Sequence, residues 1–208
     1  GRRLAPIARW IRRQSRGCSC IVHLGRRGAY NPEHFDLVVS CAHFALMPHV
    51  RRMEVVAPVN PIGPSRLAQA ATRWPNLFGH APRPHIVLLV GGTSSFCSFD
   101  EEAARRLGRE VRAFAASAGG TVHAVTSRRT GERQASALEE ELGKSHSVRR
   151  WQPTGNENPY LGYVATADVL VVTGDSESML AEAAASGKPV YIYPLPECFP
   201  GALGKVRE

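Results

Sequence analysis

The chain has 208 residues, 43% of them apolar, so it can bury a core and holds one large domain or two small ones. Its longest apolar runs, such as 86–90 and 169–172, are strand-sized and fall short of the ~20 residues that span a bilayer. The formal charge of +8 comes mainly from arginine, because only three of the 26 basic residues are lysine. No zinc-finger, RRM or KH pattern accompanies this charge, so we expect no nucleic-acid partner.

The first predicted element is a basic amphipathic helix over residues 4–16. Leu4, Ile7 and Ile11 recur at helical spacing, and the first acidic residue of the chain is Glu33. Such a segment is typical of a targeting sequence, of a helix on an anionic membrane, or of an ordinary surface helix with a basic face. Because a strand follows at once, the surface helix is favoured. We expect a cytoplasmic protein that can contact the inner face of a membrane peripherally.

The rest of the N-terminal part predicts a small domain and a connection. Three short strands are expected, over residues 20–24, 35–40 and 54–57. Because the chain begins without Met and with an element already under way, we expect a fragment of a longer protein. The resemblance described below implies that residues 1–57 are part of an N-terminal Rossmann-like domain. Residues 58–84 carry six prolines and two glycines around one helical stretch. That composition predicts an interdomain connection and not a core element.

The cysteines and carboxylates predict neither a disulfide framework nor a metal site. The five cysteines are scattered, and none forms a CxxC pair: Cys18, Cys20, Cys41, Cys97 and Cys198. Their odd number and spacing favour thiols in a reducing compartment. No Asp-x-Asp pair of the kind that binds a metal occurs either. We expect no metal and no cofactor.

From His85 onward, apolar strands alternate regularly with helices. The strands are expected over 85–90, 121–126, 169–173 and 190–193, and the helices over 100–118, 132–142, 161–167 and 176–186. This alternation predicts βαβ units and a parallel sheet, and therefore an α/β domain over residues 85–208 that is truncated at its end. Ligands of such sheets lie at the carboxyl ends of the strands. That rule selects the loops at Gly91, Ser127 and Gly174.

Two of these loops carry groups that suit a phosphate. The turn after the first strand of this domain consists of Gly91, Gly92, Thr93 and Ser94. Its glycines allow a close backbone approach and its hydroxyls can donate to phosphate oxygens, although a plain strand-to-helix turn fits the residues as well. The loop at Ser127 continues with Arg128 and Arg129, whose guanidinium groups can grip a diphosphate bidentately. A solvated arginine pair is the alternative.

The third loop leads into a helix with a polar start. Asp175 or Ser176 can cap this helix, whose exposed amides favour an anion. Ser178 follows in the first turn, and Glu182 lies further along the helix, where it could receive the hydroxyl pair of a ribose. The alternatives are that Ser176 only caps the helix and that Glu182 is an ordinary surface carboxylate.

Taken together, these residues resemble known families. The Gly-Gly-Thr turn after a strand, followed late in the chain by Ser-x-x-x-x-x-Glu-Ala-x-x-x-Gly-x-Pro, is similar to the donor-binding half of GT-B glycosyltransferases. More closely, and over nearly its whole length, the chain resembles the mitochondrial fission Elm-type family, whose bacterial members are often labelled nucleoside-diphosphate-sugar epimerases. The stretches that carry this resemblance are 1–3, 5–6, 35–39, 91–92, 126–130, 158–160, 173, 175–179, 182–183 and 187–191.

The resemblance implies a GT-B-like fold of two Rossmann-like parallel-sheet domains. It also implies transfer of a sugar from a nucleotide-sugar donor to an unknown acceptor without a metal. The residues expected at the donor diphosphate are Gly91, Gly92, Thr93, Ser94, Arg128, Ser176 and Ser178. Glu182 is expected at the ribose. The epimerase label finds no support, because neither a GxGxxG fingerprint nor a Tyr-x-x-x-Lys pair occurs.

The catalytic base stays unassigned, because no spacing singles out His23, His34, His43 or His49. Two alternatives to an enzyme remain at this point. The first is a non-catalytic adaptor of membrane or organelle division that keeps the GT-B fold. The second is a module that binds a sugar nucleotide without transferring the sugar.

Overall fold

The computed structural model describes residues 4–25, 31–94, 97–153 and 157–196. The described residues divide into two compact units, called the first and the second unit: the first ends at Asn60 and the second begins at Pro61. Each unit contains a parallel sheet with helices, which confirms the predicted α/β class. The predicted stretch 1–3 and Cys198 lie outside the described residues.

The first unit is built on a three-stranded parallel sheet. Its elements are α1 (Ala5–Gln14), β1 (Val22–Leu24), β2 (Leu37–Cys41) and β3 (Arg52–Val55), with strand order β1-β2-β3. A small core joins helix and sheet through Ala5, Phe35 and Val38. The Asp36 carboxylate accepts a hydrogen bond from the Ile21 amide at 2.7 Å and pairs with the Arg12 guanidinium, which fastens α1 to this sheet.

The second unit is built on a five-stranded parallel sheet of order β6-β5-β4-β7-β8. Its strands are β4 (His85–Val90), β5 (Thr121–Thr126), β6 (Ser147–Arg149), β7 (Val169–Thr173) and β8 (Val190–Tyr193). This order is typical of Rossmann-type sheets, in which the direction of winding reverses beside the first strand. Strand β6 was not predicted, because it has three residues and only Val148 is partly buried, too short a pattern to detect.

Helices cover both faces of this sheet, as the uninterrupted apolar strands require. The helices of the second unit are α2 (Pro64–Arg73), α3 (Glu101–Ala118), α4 (Glu132–Leu142), α5 (Tyr160–Thr166) and α6 (Glu177–Ala184). Side chains alternate along β4, so Leu88 packs in a core with α3 and α4, while Val87 and Leu89 pack in a second core with α5.

Helix α3 shows why its ends fall where they do. The Asp100 carboxylate accepts a hydrogen bond from the Ala103 amide at 2.8 Å and so caps the first turn. At the other end Gly119 has φ 67°, the left-handed conformation that favours glycine and ends helices. Both ends agree with the predicted helix over 100–118.

Part of the segment predicted as a connection, 58–84, packs against a core. Leu67 of α2 and the following residues Leu77 and Phe78 pack against the core that contains α5. Whether the segment also connects two domains stays a prediction.

No helix in the described part of the chain is both long and apolar enough to cross a bilayer.

Candidate functional site

The candidate site lies at the carboxyl edge of the five-stranded sheet. Strand β4 lies between β5 and β7, and all three run in the same direction. The loops that begin at Gly91, Ser127 and Gly174 therefore leave the sheet at the same edge. The winding reverses between β4 and β7, which is where parallel α/β sheets open a crevice for ligands.

In this structure the crevice between β4 and β7 is closed by the side chain of Asp175. Asp175 Oδ2 accepts a hydrogen bond from the Gly92 amide at 3.0 Å, and Asp175 Oδ1 accepts one from Thr173 Oγ1 at 2.7 Å. The Gly91 amide in turn donates to Thr173 Oγ1 at 2.8 Å. The carboxylate is fully buried, and Arg129 Nη2 lies 2.7 Å from Asp175 Oδ2 as its ionic partner. Because each of these donors is satisfied, a charge can be buried here.

The two glycines have steric reasons to be glycines. A Cβ atom at Gly91 would lie 2.2 Å from Asp175 Oδ2, and one at Gly92 would lie 2.1 Å from the Arg129 carbonyl oxygen. Gly92 also has φ 149°, a conformation that side chains disfavour. The close packing of this turn is therefore against the protein itself, and its predicted approach to a phosphate stays a prediction.

The loop after β5 is joined to the same turn. The hydroxyls of Ser127 and Thr130 both donate to the Gly91 carbonyl oxygen, Thr130 at 2.7 Å. The Arg129 guanidinium donates to the Gly92 carbonyl oxygen at 3.3 Å. Loops after β4, β5 and β7 thus form one hydrogen-bonded network, with Arg128 directed elsewhere.

Arg128 lines an open cleft of about 260 Å³ beside this network. The cleft is lined by Val125, Thr126, Ser127, Arg128, Arg149, Arg150, Trp151, Gln152, Glu157, Asn158, Pro159, Tyr160 and Met179. Arg150 is paired with Glu132 and Glu139 of α4. Within the described ranges, Arg128 and Arg149 form no salt bridge. The cleft therefore combines available positive charge with an aromatic wall, since the Trp151 residue is 42% exposed.

The remaining predicted residues lie around this edge in different settings. Thr93 and Ser94 are bonded within their own loop: the Phe99 amide donates to Thr93 Oγ1 at 3.2 Å and the Cys97 amide to Ser94 Oγ at 3.1 Å. Ser178 is exposed in the first turn of α6 and does not line the cleft.

Helix α6 begins without a side-chain cap, and this corrects the capping role expected of Asp175 or Ser176. Ser176 occupies the cap position, but its hydroxyl accepts no hydrogen bond from the first turn. The Asp175 carboxylate is bound to Gly92, Thr173 and Arg129 instead. Charge pairing in the network therefore prevails over helix capping for this carboxylate.

Glu182 is bonded to a neighbouring helix. Its carboxylate accepts a hydrogen bond from the Tyr160 hydroxyl at 2.6 Å. Burial, together with this hydrogen bond, raises the pKa of Tyr160 above its ordinary value, so the hydroxyl stays protonated and remains a donor. Glu182 is partly buried and lies next to the cleft through Tyr160, so its role at a ribose stays a prediction.

Arg149 and Trp151 of the cleft were missed by reasoning from the sequence. Thr130 and Thr173 belong to stretches that the sequence singled out, but their buried hydroxyl bonds to Gly91 and Asp175 were not predicted. Arg149 and Trp151 follow the short strand β6, and without that strand nothing placed them at the carboxyl edge.

The described ranges contain no group of three His, Cys, Asp or Glu residues that could hold a metal ion. They also single out no catalytic base: His34 and His49 are not buried and belong to the first unit.

The strand order and the flanking helices define an α/β protein with Rossmann-like parallel sheets. A family model described as mitochondrial fission ELM1 matches residues 1–206, and the chain therefore belongs to that family. It is 34% identical over 133 residues to the mitochondrial fission protein ELM1 of Arabidopsis thaliana, a match that covers 64% of this chain and 30% of the relative. It is 27% identical over 149 residues to an uncharacterized protein of Rickettsia prowazekii, a match that covers 69% of this chain and 42% of the relative. The chain thus spans less than half the length of either relative.

Two solved glycosyltransferase structures show a weak likeness to the chain. A glycosyltransferase from Rickettsia africae has a TM-score of 0.48 at 13% identity, covering 98% of this chain and 64% of its own. A structure of POFUT1 in complex with GDP has a TM-score of 0.39 at 10% identity, covering 62% of this chain and 46% of its own. Because both TM-scores lie below 0.5, we draw no conclusion about function from them.

Proposed function

We propose that this chain is the donor-binding part of a GT-B-type glycosyltransferase that uses a nucleotide sugar. The donor would lie at the carboxyl edge of the second unit, in the cleft beside the loop after β5, next to the predicted residues of the loops after β4 and β7. Its role would be to hold the leaving diphosphate and to stabilise the charge that develops on it, which requires cations in a site that excludes water. The binding site for the acceptor and the catalytic base would be supplied by parts of the whole protein outside the described residues.

The observation that supports this proposal most is the composition of the cleft. Two arginines without a salt bridge, Arg128 and Arg149, share it with the exposed ring of Trp151. Guanidinium groups bind phosphate oxygens bidentately, and an indole ring can stack on a nucleobase. The position of the cleft at the carboxyl ends of parallel strands is where nucleotides bind in such folds.

A second candidate function is favoured by a different observation. Several groups predicted to contact the donor are already bonded within the protein: the Gly92 amide to Asp175, and the Glu182 carboxylate to Tyr160. A family member that has lost nucleotide binding could keep such internal bonds and serve as a non-catalytic adaptor in membrane or organelle division. The enzyme is the first candidate because Arg128 and Arg149, which form no salt bridge in the described ranges, share one cleft with Trp151 at the edge of the sheet where nucleotides bind.

Peripheral contact with a membrane on its cytoplasmic side is a further part of the proposal. It is supported by α1, which exposes apolar side chains beside arginines. Such a surface suits the anionic face of a bilayer.

The proposal is tested by titrating the intact full-length protein with UDP, GDP, CMP, ADP and dTDP and following its melting temperature. One nucleotide at a hundred times its Kd should add about 2.7 kcal/mol to the free energy of unfolding. Replacing Arg128 with Gln should lower the affinity for that nucleotide about tenfold, because a charge-assisted hydrogen bond to phosphate is lost. The matching sugar nucleotide should then be cleaved: its sugar passes to an acceptor or to water, and the free nucleotide, a diphosphate or CMP, is released.

Arg133→Gln is the matched control, because it removes the same charge from an exposed position on α4 that does not line the cleft. It should leave nucleotide affinity unchanged. If none of the five nucleotides stabilises the protein at millimolar concentration, the transferase is excluded and the adaptor becomes the leading candidate. Binding without cleavage of any sugar nucleotide would instead indicate a binding module.

A further inference from the structure

The crevice at which the winding of the sheet reverses is filled by the protein's own carboxylate. The side chain of Asp175 is fully buried between the turn after β4 and the end of β7. Its oxygens accept from a glycine amide, a threonine hydroxyl and a guanidinium group, contributed by Gly92, Thr173 and Arg129. These are the same donor types that bind a phosphate in a glycine-rich turn.

The fit of the turn indicates that this arrangement is fixed. Gly91 packs closely against the carboxylate. A Cβ atom at Gly91 would lie 2.2 Å from Asp175 Oδ2 and 2.3 Å from Oδ1, so it would overlap both oxygens. Thr173 is itself fully buried, and its hydroxyl serves the Gly91 amide and Asp175 at once. Removal of the carboxylate from this position would leave the Gly92 amide and the buried Thr173 hydroxyl without this acceptor, which is costly in a buried place, and would deprive Arg129 of its ionic partner.

We propose that Asp175 is a positioning residue that acts as a built-in anion, and that the phosphates of a bound nucleotide are held by Arg128 and Arg149 in the cleft and not by the amide of Gly92. The phosphate part of this inference rests on the proposed function. Asp175 holds Arg129 in the network, and Arg129 is bonded to the turn after β4. The loop after β5 is thereby fixed, so that Arg128, the residue before Arg129, is presented to the cleft.

Charge pairing separates the arginines of this edge into two groups. Arg129 is neutralised by Asp175, and Arg150 by two glutamates of α4. Arg128 and Arg149 line the same cleft and have no acidic partner in the described part of the chain. A nucleoside diphosphate brings the negative charge that these two side chains lack.

The sign of one affinity change tests the proposal. If a diphosphate had to displace the Asp175 carboxylate from Gly92, Asp175→Ala would remove a competitor and strengthen the binding of the nucleotide. We expect the opposite: Asp175→Ala lowers the affinity for the nucleoside diphosphate, because Arg128 is no longer held in place. Arg149→Gln should weaken it about tenfold while leaving the affinity for the corresponding nucleoside unchanged. Tighter diphosphate binding by Asp175→Ala, or an effect of Arg149→Gln no larger than that of Arg133→Gln, would overturn the proposal.

A chemical rescue tests the built-in anion without any nucleotide. Asp175→Ala leaves a cavity lined by the donors of the lost carboxylate, and formate has the size and charge to fill it. We expect sodium formate to restore part of the melting temperature lost in Asp175→Ala, and sodium chloride of equal ionic strength to restore none. The wild type should respond alike to both salts. A variant that folds only in formate supports the proposal as well, and equal effects of the two salts on Asp175→Ala contradict it.

If Asp175→Ala folds in neither salt, the affinity for the nucleoside diphosphate is measured with Asp175→Asn instead. This variant removes the competing charge but keeps the volume, so weaker binding supports the proposal and tighter binding overturns it. If the intact wild type binds no nucleotide, the proposed function and the role of Arg128 and Arg149 both fail. The formate rescue then still decides whether Asp175 is a built-in anion.

Discussion

A methyl group at Gly91 would lie 2.2 Å from Asp175 Oδ2, well inside van der Waals contact. Gly91→Ala must therefore push the carboxylate away from Gly92 and Arg129 or open the turn after β4. We expect a loss of about 2 kcal/mol or more in the free energy of unfolding, the range of overpacked sites that also break a buried polar contact. Denaturation by urea, with the m-value compared between variants, measures this loss.

Gly174→Ala is the control, because it lies in the neighbouring loop and its added methyl group would meet Ile192 and Tyr193 only at 3.5 Å, an ordinary contact. It should change the free energy of unfolding by less than about 1 kcal/mol. Equal losses in the two variants would mean that Asp175 leaves the turn without cost, against the fixed network described here.

At this scale the sequence predicted where the important residues lie better than what they bond. Gly91, Gly92 and Arg128 were selected as strand-end residues and do lie at one edge of the sheet. Whether an amide faces a ligand or a neighbouring carboxylate depends on side-chain directions that spacing does not fix. Asp175 was therefore expected at a helix cap, and its bond to Gly92, 83 residues earlier, had no local signal.

At the scale of elements, a buried aromatic and histidine cluster joins the segment after α2 to the sheet. The ring of Phe78 lies 4.3 Å from each of the rings of His85 on β4 and His123 on β5. Burial, with the nearby His85 and His146 as lesser causes, lowers the pKa of His123 to about 4. The cluster is therefore neutral near pH 7.

This cluster predicts that the free energy of unfolding of the second unit falls in acid. An unfolded histidine has a pKa near 6.5, so between pH 6.5 and 4 the unfolded state binds more protons than the folded state. The contribution of His123 is complete above about pH 6.5 and decreases as the pH falls toward 4, by on the order of 3 kcal/mol. Unfolding by urea across this range should show the decrease. His123→Asn should flatten the profile, whereas His80→Asn, at an exposed position, should not. An unchanged slope in His123→Asn would assign the acid sensitivity to other groups.

Most elements were predictable because their signals are strong. Strands β5, β7 and β8 and helix α4 have the predicted bounds, since each is a periodic run closed by glycine, proline or a polar turn. Strand β6 and the packing of Phe78 were not predictable. Strand β6 is too short to show a periodic pattern of apolar residues. The packing of Phe78 depends on which face of the sheet is left open by the other helices, and the sequence does not show this.

At the scale of the whole molecule, the positive charge is unevenly neutralised. On the second unit, Arg105 and Arg109 pair with glutamates across the contact of α3 and α4. On the first unit, α1 carries arginines with one acidic partner in the described residues, Asp36 for Arg12. Arginines without an acidic partner among the described residues therefore include those of α1, apart from Arg12, and two that line the cleft.

Helix α1 predicts binding of the intact protein to anionic vesicles. Ile7 and Trp10 are 53% and 59% exposed, and Arg9 and Arg13 accompany them along the helix. The protein should sediment with vesicles rich in phosphatidylglycerol and much less with vesicles of pure phosphatidylcholine. Each arginine near such a surface contributes about 1 kcal/mol, so Arg9→Gln with Arg13→Gln should weaken binding roughly 30-fold. The pair Arg66→Gln and Arg133→Gln removes the same charge from the second unit and should weaken binding far less. Equal effects of the two pairs would show that net charge, and not α1, determines the contact, and no sedimentation with either lipid would exclude it.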